Sequence, residues 1–152
     1  MIFNLTIGLS TMVVCLFLQS LILVLTIHYY NKYSYMVNNP YYYATMIVLG
    51  LVMLILILGN LAQISIWAIV FIWLDEFSHF SEAFYHSAVN FATLGYGDFV
   101  MSDKHKLLGP LEAVNGILMV GVTTATLMAT FRDSMIKTLR AKNKLSKYKF
   151  SE

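Results

Sequence analysis

The sequence predicts an all-α membrane protein with three transmembrane helices. Three observations carry that prediction. Of its 152 residues 59% are hydrophobic and only 12% charged, too few charges to coat a water-soluble surface. Three apolar runs each reach the ~20 residues that a bilayer core demands of a helix. Between the second and third runs lies a shorter amphipathic stretch, followed by a segment in which glycine alternates with larger residues. The net charge of +2 gives no footprint for nucleic acid, so nucleic-acid binding is not expected.

Residues 1–30 form the first spanning helix. Thr6, Ser10, Thr11, Gln19, Ser20, Thr26 and His28 interrupt an otherwise apolar run, and a helix tolerates them all. No Lys or Arg precedes the run and no small-residue cleavage site closes it, which favours a membrane helix over a leader. Gln19 and Ser20 are expected to face protein, because an amide in hydrocarbon is costly. Cys15, the sole cysteine, is expected to be a packed thiol. Residues 31–44 hold five tyrosines and the break Asn39-Pro40, and read as a connector at the headgroup layer.

The second apolar run covers 46–74, about 43 Å of helix against a ~30 Å hydrocarbon core. Gly59, Asn60 and Gln63 share one face, where interhelical hydrogen bonding is the plain expectation. Trp67 and Trp73 are placed toward the outer interface. After a polar turn at 75–79, residues 81–92 make a short helix with Ser81 as the expected cap and Glu82 as a favourable first-turn charge. Twelve residues reach only about 18 Å, so such a helix must dip into the membrane and return.

Residues 93–98 read Thr-Leu-Gly-Tyr-Gly-Asp. Gly95 and Gly97 can take left-handed dihedrals closed to other residues, and alternating them with Leu94 and Tyr96 turns successive carbonyls to one side. Four copies of such a strand around an axis make stacked oxygen cages able to replace the water shell of a monovalent cation. Here the sequence resembles the potassium-channel pore-loop family, whose filter reads Thr-Val-Gly-Tyr-Gly, with Leu94 in place of Val. The resemblance implies a homotetramer around a central pore, a re-entrant pore helix at 81–92 and a selectivity filter at 93–98. K+ would be bound by Thr93, Leu94, Gly95, Tyr96 and Gly97, with no other cofactor. Asp98 would brace the filter from outside. Tyr85 takes the place of a family Trp and is expected to hydrogen-bond Asp98, while Val89 stands where the family often has a carboxylate behind the filter.

The third run, 107–131, completes a pore domain spanning 45–131 and resembles the inner helix of small channels of that family around Gly109-Pro110. Gly121, and after it Gly116, is the expected hinge, with Thr124 and Met128 lining the cavity and close helix packing as the competing role of the glycines. His79, His86 and His105 fall near the outer side, where protonation could couple the pore to pH.

Residues 132–152 carry seven of the ten basic residues and read as a cytoplasmic tail. Lys137, Arg140 and Lys144 fall on one side of a helix there and are expected to meet anionic lipid. With the filter opening outward, the connector 31–44 is cytoplasmic, the first helix is peripheral, and the amino terminus lies outside the cell membrane. The function expected is passive, potassium-selective conduction. Its alternatives are a weakly selective cation channel and a non-conducting regulatory membrane subunit. With no Walker-type glycine loop, and Glu112 the only carboxylate in the third apolar run, neither an enzyme nor a coupled transporter is expected.

Overall fold

The computed structural model describes residues 1–37 and 42–149, with 144–149 described by backbone alone. Four helices account for it: α1 (Ile2–Val37), α2 (Tyr42–Trp73), α3 (Phe80–Phe91) and α4 (Leu108–Lys149). Helices α1, α2 and α4 are long and apolar enough to cross a membrane. Each of the three long helices outruns the sequence expectation at one end. Helix α1 runs seven residues past 30, α2 begins at Tyr42, and α4 carries on through the basic residues, so the expected tail is helical as far as Lys149. The Asn39-Pro40 break lies outside the described residues, as do the side chains of Lys144 and Leu145.

The chain divides into two compact units, one of Met1–Ser20 with Leu58–Val122, the other of Leu21–Ile57 with Thr123–Glu152. The first has a core of Cys15, Trp67, Ala68, Phe71, Ala83 and Leu108, and a smaller cluster of Ile64, Phe91 and Met119. Cys15 is the packed thiol expected, set among Trp67 and Asn115. Trp67 corrects the sequence expectation, because it is fully buried in this core, whereas Trp73 is exposed. Gln63 is the hydrogen-bonding residue anticipated on α2, donating its amide to Gln19 Oε1 on α1 at 2.7 Å. Ser20 does not join it; its hydroxyl turns back to Leu16 O on its own helix.

In the second unit the helices are joined by hydroxyls and charges. Thr138 donates to Val37 O at 3.2 Å, which satisfies a carbonyl that the end of α1 leaves open, and Thr45 contacts Thr138 at 2.8 Å. The Tyr30 hydroxyl donates to Asp133 at 2.7 Å, and Lys137 pairs with Asp133 at 2.6 Å while reaching Ser34.

Candidate functional site: the Thr93–Asp98 segment and its supports

The site begins with the way α3 ends. Ala92 is the C-cap and Thr93 follows it with φ +58°, so the chain turns left-handed one residue past the helix. Thr93 N–H then bonds Asn90 O at 2.8 Å and Leu94 N–H bonds Val89 O at 2.9 Å, the paired closure of a Schellman motif. Two of the carbonyls that form the negative end of the α3 dipole are thereby engaged. Helix α2 ends the same way, with Asp75 at φ +58° and Glu76 N–H on Phe71 O. Neither position is glycine, and a side chain in this conformation costs about 1–2 kcal/mol, which the two closing hydrogen bonds offset.

Beyond Thr93 the positive dihedrals alternate: Gly95 has φ +60° and Gly97 φ +76°, with Leu94 and Tyr96 between them in ordinary conformations. The sequence foresaw the two glycines; the third left-handed residue, Thr93, it did not. The whole stretch from Ala92 to Val100 is exposed in the single chain, including Leu94 and the Tyr96 ring.

At the far end of this segment, Tyr85 donates its hydroxyl to Asp98 Oδ2 at 2.8 Å, the contact expected of the pair. That bond, with the Asp98 charge behind it, raises the Tyr85 phenol above its ordinary pKa. Asp98 Oδ1 accepts from Phe99 N–H at 3.2 Å, and Phe99 O meets His86 Nδ1 at 2.9 Å. The His86 ring packs edge-on to Phe71 and at a tilt to Phe77. Burial lowers its pKa, against the opposing pull of Phe99 O, Asp98 and Glu76.

Residues 99–107 are tied down by Glu76, a residue the sequence left in a polar turn. Its carboxylate accepts from Ser102 N–H at 2.7 Å, Ser102 Oγ at 2.6 Å and His105 Nδ1 at 2.6 Å. Burial pushes the Glu76 carboxyl up, but the Ser102 and His105 hydrogen bonds outweigh it and hold the pKa below the usual value. Asn4, near the start of α1, donates to Lys104 O at 2.6 Å on the same loop. His105 is thus buried in a structural clasp, and His79 is the extended N-cap of α3. The cap expected from Ser81 is not made, since the helix starts one residue earlier without a side-chain cap.

Helix α4 backs the site through Gly116. A Cβ there would stand 2.1 Å from Phe91 O and 2.9 Å from Phe91 Cα, so glycine is what lets α4 lie against the last turn of α3. Close packing therefore accounts for Gly116. Gly121 has open space where a Cβ would go, and Thr124 and Met128 are exposed in the single chain. Glu112 and Asn115 are fully buried on the same helix; Glu112 is hydrogen-bonded to Ser87 Oγ and accepts from Asn90 Nδ2, both on α3. A lone carboxylate in an apolar helix is the signal by which sequence could have singled out Glu112, though not its partners. A cavity of about 370 Å³ lies beside this arrangement, lined in part by His86, Asn90, Thr93, Gly95 and Lys106.

The stretch from Leu61 on α2 to Asp133 on α4 matches the model of a family described as ion channel. No curated protein and no solved structure matches the chain. The end of α2, the short helix α3, the segment of alternating left-handed residues and the first part of α4 lie within the matched stretch, and residues 61–133 are thus similar to that ion-channel family.

Proposed function

We propose that the protein is a potassium-selective channel that conducts K+ passively through a homotetrameric pore. The observation that carries this reading is the alternation of positive φ at Thr93, Gly95 and Gly97 within the family-matched stretch. That alternation aims carbonyls of neighbouring residues to one side, and such a strand is useful to a cation only when several copies surround it. Four chains would supply the copies and would cover Leu94 and Tyr96, which one chain leaves open. The ion sites in this reading are the carbonyls of Thr93, Leu94, Gly95, Tyr96 and Gly97 with the Thr93 hydroxyl. K+ is the permeant ligand, and α3 is the re-entrant helix that holds them. Asp98 and Tyr85 brace the outer end, Gly121 is the bend of the inner helix, and Thr124 and Met128 line the cavity.

In the same reading the amino terminus is outside and the basic end of α4 cytoplasmic, where the exposed Arg140 would meet anionic lipid while Lys137 is engaged by Asp133 and Ser34. Purified protein in liposomes, with opposing K+ and Na+ gradients, tests the proposal through the reversal potential. A potential near that of K+ is expected. A value midway between the two ions would make the pore a weakly selective cation channel, and absence of flux would make the chain a non-conducting subunit.

A further inference from the structure

We propose that Glu112 is a positioning residue for the filter, acting through a hydrogen-bonded chain of Asn90 and His86 that ends on the carbonyl of Phe99. The inference rests on the channel reading above. Glu112 Oε2 accepts from Asn90 Nδ2 at 3.2 Å, the same amide nitrogen lies 2.9 Å from His86 Nε2, and His86 Nδ1 lies 2.9 Å from Phe99 O. Phe99 directly follows Asp98, so its N–H is held by the Asp98 carboxylate and its C=O by His86.

Counting donors fixes the direction of every bond. A backbone carbonyl only accepts, so His86 Nδ1 carries the ring proton, and Nε2 of the neutral ring accepts. The Asn90 amide has two N–H groups, one for that ring and one for the Glu112 carboxyl. The other carboxyl oxygen meets Ser87 Oγ, which also lies 2.8 Å from Ile64 O on α2. Ser87 has a single proton, and Ile64 O can only take it. The set closes when Glu112 keeps its own proton and donates it to Ser87 Oγ. Every donor in the chain then has an acceptor and no net charge is buried, the condition under which a polar network inside a protein is stable. Glu112 thereby ties α4 and α2 to the exit of the filter through α3, a register that Tyr85 and Asp98 alone do not set.

The test uses the full chain in liposomes and compares Glu112→Gln with Glu112→Leu. Glutamine reproduces the chain, with its amide N–H on Ser87 and its oxygen on Asn90; leucine has similar bulk and no polar atom. The readouts are the His86 tautomer by ¹⁵N NMR, assigned by its loss in His86→Gln, and the K+/Na+ permeability ratio. Wild type and Glu112→Gln are expected to show one neutral Nδ1–H tautomer and ratios within about twofold of each other. Glu112→Leu is expected to lose the single tautomer and about tenfold in ratio, the loss of one buried hydrogen-bonded link. Asn90→Ala, which cuts the chain while leaving Glu112 on Ser87, is expected to do the same and serves if the leucine variant fails to fold. An unchanged tautomer and ratio in Glu112→Leu or Asn90→Ala would overturn the inference, as would glutamine behaving like leucine. If the wild type passed no K+, the channel reading would fail, and the tautomer comparison would still decide the chain.

Discussion

The two halves of α4 are built on opposite principles. The half within the first unit packs by absence of bulk and by a buried polar cluster: Gly116 admits the backbone of Phe91, and Glu112 is closed off with Ser87 and Asn90. The half within the second unit is held by hydroxyls and by the half-exposed pair Asp133 and Lys137, whose side chains retain 48% and 31% of their accessibility. Contacts of the first kind have no slack, since neither a backbone carbonyl nor a buried carboxyl can be re-solvated cheaply. Contacts of the second kind exchange readily with water and are worth less. The half beside the Thr93–Asp98 segment is therefore expected to be the less tolerant of substitution.

The largest effect is expected from placing a methyl group at the closest contact. Gly116→Ala must push α4 off the Phe91 backbone and should lower stability by the upper end of the ~1–3 kcal/mol typical of overpacking, read as a fall in thermal midpoint in detergent. Gly121→Ala meets no neighbour and gains about 1 kcal/mol of helix propensity, so its midpoint should hold or rise. Equal losses in the two variants would erase the contrast.

A smaller effect is expected from acid. His86 titrates below its ordinary pKa because it is buried, so the unfolded chain takes up its proton first, and stability should decline as pH falls below about 6.5. The decline continues until the folded His86 is itself protonated. Asp98 and Glu76 face the ring and oppose the shift, and Glu76, held low by its own hydrogen bonds, contributes its loss only at more acid pH. Thermal midpoints measured from about pH 7.5 to 5 should fall for the wild type and stay flatter for His86→Gln; parallel curves would remove His86 from the account.

The smallest effect belongs to the other half. Lys137→Met breaks the pair with Asp133 at a half-exposed site and should change stability by no more than about 1 kcal/mol. A loss as large as that of Gly116→Ala would show that the second unit is as tightly fixed as the first.

Much of this was legible in the chain itself. Apolar length alone specifies three helices able to cross a membrane, because a bilayer core has one thickness and every helical residue rises by the same amount. The glycines of the 93–98 segment were legible for a similar reason: a left-handed dihedral at Gly95 or Gly97 is a local steric matter that no neighbour needs to impose. The Tyr85 and Asp98 contact followed from a resemblance over a short span of chain. Other features depend on groups distant in sequence, and only the tertiary structure decided them. Thr93 takes a glycine-like dihedral because closing the end of α3 offsets its strain. Trp67 is a core residue rather than an interfacial one because α1 and α3 cover it. Gly116 serves packing because Phe91, 25 positions earlier, comes to rest against it. Glu112 is a lone carboxylate in the sequence; the donors that make its burial tolerable come from α3, and a one-dimensional pattern records the spacing within a helix but not which helix it will meet.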